Sequence, residues 1–276
     1  MSGNGHKLLT AEREQRIMQL LHDSDVVTVS AISEALGMSE ATVRRDLQAM
    51  HERGLLERVH GGAAVKQESS PEPLFSDKEE QFSAEKQRIA AAALALIHDH
   101  DTIFLDGGST VLMLARMLDS LKTLTIVTNS LMAAAQLMES PHRLILTGGE
   151  FRAISRTLVG PLSSPILKNI VVDKAFMGTM GFTTTDGMST TDANEAYTKT
   201  RVMERARQVI LLADRSKLGC SSFVTCGPDW HLDVLVTDAI DPKTRQELEE
   251  RDIRVIVAGK NATAKANAGT TTRADQ

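Results

Sequence analysis

From residue 10 to residue 54 the apolar positions recur at the spacing of half-buried helices. Ile17, Leu20 and Leu21 follow Thr10, a candidate N-cap with Glu12 and Glu14 in the favourable first turn. In "SAISEALG" Ser30 is the candidate cap, Ile32, Ala35 and Leu36 make the stripe, and Gly37 ends the helix. "MSEATVRRDLQAMHERG" restarts at once, with Ser39 as N-cap and Gly54 as the stop. Two helices so close together across a glycine have the spacing of a helix-turn-helix. "LLERVHGGAAV" then changes period and reads as two short strands around Gly61 and Gly62. Residues 8–65 are expected to form one unit.

Residues 66–80, "KQESSPEPLFSDKEE", combine prolines, serines and a concentration of charge, which is linker composition. Leu74 and Phe75 are its apolar positions, able to dock on a neighbour. From 81 to 259 short β-branched runs alternate with helical ones. "TIFL", "LTIVT", "RLILT", "KAFMG", "QVILLAD", "DVLVTD" and "IRVIVA" read as strands. "AEKQRIAAAALALI", "VLMLARML", "LMAAAQLM", "NEAYTKTRVMERAR" and "PKTRQELEE" read as helices. That alternation predicts an α/β domain with a largely parallel sheet covered on both faces. The tail, 260–276, is small and polar, a composition that favours disorder.

The third helix shows which of its sides is outside. Val43, Leu47 and Met50 share one face, while Ala41, Arg45 and Gln48 point almost opposite, with Thr42 and Arg44 on the flanks. Asp46 falls nearer the apolar side, where it suits a basic partner inside the unit. A small, basic outward face on the N-terminal half of such a helix is what enters a major groove. An arginine there can donate two hydrogen bonds to a guanine edge, worth about 1–3 kcal/mol of discrimination. Ser39 and Thr42 suit phosphate contacts, and Arg58 and His60 follow on the hairpin. An ordinary solvated charged face is the bland alternative, and the whole arrangement of caps, turn and hairpin argues against it.

Charge and composition narrow the partners. The 276 residues carry a net charge of −5 and only 3% aromatics, so neither a uniformly basic coat nor an aromatic platform for single strands is present. Residues 1–66 hold eight basic and nine acidic side chains, so specific DNA binding should need more than one copy, as a dimer or tetramer. Cys220 and Cys226 show neither zinc spacing nor a disulfide framework. No cofactor or metal is expected. No stretch has the apolar length of a membrane helix and the first residues lack a signal core, so a cytoplasmic protein away from the membrane is the expectation.

"VSAISEALGMSEATVRRDLQAMHERGLLERVHGGA" resembles the N-terminal half of the DeoR family of bacterial transcriptional regulators. "TIFLDGGST", "VTNS", "LTGGEFR", "DKAFMG", "EAYTKTR" and "LLADRSKLG" follow that family's effector domain in order. The resemblance implies an α/β protein in which an N-terminal winged helix-turn-helix joins a C-terminal effector domain, with a mostly parallel sheet like that of ribose-5-phosphate isomerase. It further implies repression of a carbohydrate uptake or catabolic operon through double-stranded operator DNA, relieved by a phosphorylated sugar or related metabolite.

The residues of the second domain favour an anionic ligand on their own terms. "DGGST" sits where a strand ends and a helix opens, so backbone N–H groups and the helix dipole favour phosphate. Gly107 and Gly108 allow close approach, and Ser109 and Thr110 add hydroxyls; the same residues also make good turns. Asn129 with Ser130, Gly148 with Gly149, and Asp214 to Lys217 occupy other strand C-terminal ends, where ligands of open α/β sheets collect. Lys217 is the candidate counter-charge, with a salt bridge to Asp214 as the alternative. Asp106 would repel phosphate and is expected to accept from sugar hydroxyls or to cap the loop. Glu195 and Lys199, four apart, read first as a surface ion pair. Arg152 and Arg156 suit either a ligand or a neighbouring subunit. Two rival classes remain: a sugar-phosphate isomerase with a DNA-binding appendage, and a structural DNA-binding protein with no ligand. The first lacks any motif that strengthens it and has no need of the helix-turn-helix; the second does not require the phosphate-type loops.

Overall fold

The computed structural model describes residues 10–23, 26–52, 56–59, 61–65, 72–227 and 231–259. The chain divides into two compact units, Met1–Glu72 and Pro73–Gln276. His60, Gly54 and the tail from 260 lie outside the described residues.

The first unit runs α1 (Thr10–Asp23), β1 (Val26–Thr28), α2 (Val29–Leu36), α3 (Glu40–Glu52), β2 (Leu56–Val59) and β3 (Gly62–Val65). Ile17, Leu21, Ile32, Val43, Leu47 and Met50 close its core with Leu56 and Ala63. β2 and β3 pair antiparallel, Leu56 opposite Val65 and Val59 opposite Gly62. β1, which the sequence did not reveal, adds to the other edge of β3, with Val27 opposite Ala63. A β-carbon at Gly62 would collide with the Val27 carbonyl oxygen, so this strand pairing depends on glycine there. β1 also moves the cap of α2. Thr28, where the chain leaves the strand, accepts from the Ala31 N–H at 3.2 Å, and Val29 is already helical and buried. Ser30, the expected cap, lies inside the helix. Gly37 ends α2 in the left-handed region at φ 62°.

The second unit begins with α4 (Phe75–Glu80) and α5 (Ser83–Leu94), followed by β4 (Thr102–Leu105), α6 (Ser109–Ala115), β5 (Thr125–Thr128), α7 (Leu131–Leu137) and β6 (Arg143–Leu146). A hairpin, β7 (Glu150–Arg152) and β8 (Thr157–Val159), precedes α8 (Ser164–Leu167) and β9 (Lys174–Met177). Next come β10 (Gly181–Thr183), β11 (Gly187–Thr190), α9 (Ala193–Met203), β12 (Val209–Leu212), β13 (Val224–Thr225), β14 (Val234–Thr237), α10 (Pro242–Glu249) and β15 (Arg254–Val257). α4 corrects the expected linker: residues 75–80 are helical because Phe75 is buried, while Leu74 stays exposed.

Seven strands form one parallel sheet in the order β15-β14-β12-β9-β4-β5-β6. Alternate residues of each strand feed two cores. Ile103, Leu105, Ile126 and Ile210 pack with α5, α6 and α7 on one face. Phe104, Val127, Leu211 and Leu235 pack with α9 and α10 on the other. From β4 the chain builds outward first through β5 and β6, then returns to the opposite side as β9, so the order reverses between β4 and β9. That reversal opens a crevice at the strand C-terminal ends, where ligands bind in open α/β sheets.

Candidate functional site

On α3, Val43, Leu47 and Met50 are fully buried, whereas Ala41, Arg44, Arg45 and Gln48 are exposed and Thr42 is half-buried. Ser39 opens the helix: its hydroxyl accepts weakly from the Thr42 N–H at 3.4 Å and lies 2.9 Å from the Thr42 hydroxyl. Asp46 does find a basic partner inside the unit, receiving Arg13 Nε at 2.7 Å and Nη2 at 2.9 Å, which ties α1 to α3. The two adjacent arginines differ. Arg44 pairs with Glu40 one turn back at 2.7 Å, while the Arg45 guanidinium makes no hydrogen bond or ion pair among the described residues. Arg58, on β2, turns toward α3, donating to the Arg44 carbonyl at 3.3 Å and at the limit of range to Gln48 Oε1 at 3.5 Å. It braces the exposed helix from the hairpin side.

In the second unit the Asp106–Thr110 turn follows β4 directly at the reversal. Asp106 is 2% exposed. Its Oδ2 accepts from the Gly178 N–H at 3.0 Å and from the Lys199 ammonium, which also donates to the Gly178 carbonyl at 2.9 Å. Gly178 follows β9, so this ion pair clamps the two strands that flank the crevice. A β-carbon at Gly178 would lie 2.7 Å from the Gly107 carbonyl oxygen, which explains why a glycine stands there. Burial works against the charge on Lys199, but the Asp106 and Glu195 carboxylates outweigh it and hold its pKa above the ordinary lysine value. Asp106 is thus held by the backbone at the end of the neighbouring strand β9 and by the Lys199 ammonium.

Glu195 and Lys199 are not a surface pair; they are 8% and 7% exposed. Glu195 accepts from Thr190 Oγ1 at 2.6 Å and from Arg152 Nη1 at 3.3 Å. Arg152 also reaches Ser155 Oγ and Thr191 Oγ1, and Arg156 covers the Phe75 ring with 5.2 Å to its centroid. Both arginines thus find partners within their own chain. Cys226 lies buried near this cluster, and burial pushes its thiol up to about 11.

The other predicted loops separate into two groups. Ser109, Thr110 and Lys217 line one cleft with Lys78, Lys86, Gly178 and Asp214. Lys217 does not bridge to Asp214, whose carboxylate instead caps its own turn by accepting from Ser216 N–H and Oγ. Gly107 and Gly108 form the turn above α6, with Gly107 against the Thr157 methyl and Gly108 at φ 123°. Asn129, Ser130, Gly148 and Gly149 do not line that cleft. Ser130 caps α7 by accepting from Ala133 N–H at 3.2 Å. Gly148 and Gly149 turn the chain into β7, where a β-carbon on Gly149 would come within 2.8 Å of the Val159 carbonyl oxygen. The buried Asn129 Oδ1 has no hydrogen-bond partner among the described residues.

The cleft residue that sequence reasoning missed is Lys86, 4% exposed on α5. Its ammonium donates to the Lys78 carbonyl and, at 2.5 Å, to that of Gln81. A signal was present: Lys86 shares a helical face with Ile89, Ala90 and Ala93, one charge in an otherwise apolar stripe.

A helix-turn-helix with an outward arginine face, in one chain with a parallel α/β unit open at its switch point, is the organisation of a DNA-binding regulator with a small-molecule sensor. Residues 13–69 match the DeoR-like helix-turn-helix domain and residues 81–239 the DeoR C terminal sensor domain. The chain belongs to the DeoR family of transcriptional regulators. It is 36% identical over 250 residues to the HTH-type transcriptional regulator GlpR of Haloferax volcanii, covering 90% of this chain and 98% of that one. The IolR regulator of Bacillus subtilis is 33% identical, covering 89% and 98%. The glycerol-3-phosphate regulon repressor of Escherichia coli K12 is 32% identical, covering 84% and 92%. Among solved structures, ribose 5-phosphate isomerase A of Methanocaldococcus jannaschii aligns at TM-score 0.36 and 22% identity, over 48% of this chain and 53% of that one. The close relatives are named as regulators, and the chain is a regulator, not an isomerase. Among the described residues no helix is long and apolar enough to cross a membrane.

Proposed function

We propose that the protein represses a cytoplasmic operon for carbohydrate uptake or catabolism, and that a phosphorylated sugar or related metabolite relieves the repression. The observation that carries this reading is the cleft at the switch point, where Lys78, Lys86 and Lys217 meet the hydroxyls of Ser109 and Thr110. Three cations in one crevice favour a phosphate ester over a neutral sugar. The E. coli relative is named for glycerol 3-phosphate, a small phosphate ester. In this reading the Gly107–Gly108 turn brings backbone N–H groups to the phosphate and Lys217 supplies counter-charge. Asp106, Ser130, Gly148 and Gly149 hold the loops in position.

On the DNA side Arg45, Ala41 and Gln48 face base edges in the major groove, while Ser39 and Thr42 contact phosphate. Arg44 and Arg58 brace the helix, and His60 adds a hairpin contact. The balance of eight basic against nine acidic residues within 1–66 makes binding by a dimer or tetramer the working form. Residues 8–65 and 81–259 serve as the DNA-binding and effector domains.

The test is operator-region DNA binding at fixed salt, titrated with sugar phosphates and their unphosphorylated parents. Release by one phosphate ester and not by its parent sugar is the expected result. Specific binding that no ester disturbs would refute the effector half and leave the DNA reader standing.

A further inference from the structure

α4 is six residues long, far below the length at which a helix holds itself together in water. Polar contacts from its surroundings tie it down. Arg156 covers Phe75 at its start, and Arg116 Nη2 holds Glu79 at 2.6 Å on its outer side. Toward the cleft, Ser109 Oγ donates to the Lys78 carbonyl at 2.9 Å, and the Lys86 ammonium donates to the carbonyls of Lys78 and Gln81. The groups that close the C-terminal end of α4 are thus the groups that line the candidate phosphate cleft.

Lys86 has three N–H donors, and two of them go to α4. Burial, first, and the cationic Lys217 and Lys78 beside it weaken its charged form, against the opposing Asp214 carboxylate, so its pKa lies below the ordinary lysine value. An anion in the cleft changes each of these conditions in one direction. It supplies an acceptor for the third N–H and offsets the mutual repulsion of the three lysines.

We propose that Lys86 is the residue through which the cleft's occupancy is read out: an anion bound beside Ser109 and Lys217 holds the Lys86 ammonium in place and thereby pins the C-terminal end of α4. α4 starts at Phe75, in the first residues of the unit that begins at Pro73, so pinning it fixes the chain where it leads toward the DNA-reading unit. The coupling then needs two states of one short helix, loose and pinned, whose balance the anion shifts. It rests on the reading of the cleft as a phosphate site.

The experiment is hydrogen–deuterium exchange of the full-length protein in inorganic phosphate and in potassium chloride of equal ionic strength. Exchange is followed in residues 74–82 and, as a report of binding itself, in residues 107–112. Phosphate should slow both segments in the wild type, α4 by about tenfold, the effect of one charge-assisted hydrogen bond. Lys86→Met should bind phosphate more weakly, so phosphate is raised until 107–112 is slowed as in the wild type; at that point α4 should still exchange as fast as in potassium chloride. Slowing at 107–112 without slowing at α4 in the wild type overturns the proposal, as does equal slowing of α4 in Lys86→Met. Should phosphate slow neither segment, the phosphate reading itself has failed. The clasp is then judged by Lys86→Met alone, and α4 exchange no faster than wild type overturns it. Lys86→Gln, which keeps most of the side chain and removes the ammonium, gives the same comparison if the methionine variant does not fold.

Discussion

The two units use charge in opposite ways. In the DNA-reading unit, Ile17, Leu21, Val43 and Leu47 fill the core and the charges of α3 stand in solvent, with Arg13–Asp46 at the margin. In the sensor unit, Asp106, Lys199, Glu195 and Lys86 are themselves interior groups, held between strands and helices. A surface that must match a second macromolecule keeps its charges outside, where desolvation waits for the partner. Charges built into the fold must find their partners there, so these groups are satisfied by one another and by backbone carbonyls.

The largest expected effect follows from that difference. Lys199→Ala leaves the Asp106 carboxylate buried without its cation and should destabilise the sensor unit by about 3–5 kcal/mol. Urea denaturation checks it, and replacing Asp106 by Asn in the same chain should restore part of the loss. Gly62→Ala comes next. Its β-carbon meets the Val27 backbone and should destabilise the first unit by about 1–3 kcal/mol, leaving the sensor unit's transition in place.

Arg45→Ala sharpens the contrast from the other side. It should leave thermal stability unchanged and weaken operator binding by about 1–3 kcal/mol, with a smaller loss on random DNA. A lowered melting temperature would mean that Arg45 serves the fold, and the contrast would fail there. The smallest effect concerns acid. Asp101 receives Lys174 at 2.5 Å and the His98 N–H at 2.8 Å, and although burial works against its charge these partners hold its pKa below the usual carboxylate value. Its stabilisation is complete above the unfolded value of about pH 4 and is lost as pH falls through the lower folded value. Asp101→Asn should lower stability modestly at neutral pH and leave it close to wild type in acid, so the acid limb of the stability curve flattens.

Much of this fold is legible in the amino-acid sequence. All seven strands of the parallel sheet stand out as short apolar runs; the five inner ones are covered on both faces and have no polar side to disguise them. The α3 face could be read from spacing alone, down to the inward turn of Asp46. The short antiparallel pieces β1, β7, β8, β10, β11 and β13 were not legible, since two to four residues carry no period. α4 was hidden for a related reason: its composition is that of a linker, and Phe75 becomes a buried residue only when Arg156 covers its ring and α6 packs against α4.

By itself the sequence determined the order and type of the long elements, the exposed arginine face and the loops at the strand ends, because each depends on neighbours within a few residues. Which loops meet was decided by the tertiary structure alone. Asp106 and Lys199 are 93 positions apart, and the local context of each points to a different role. The reversal of strand order between β4 and β9 places them in one crevice, and the low polarity of the interior compels the two charges to pair.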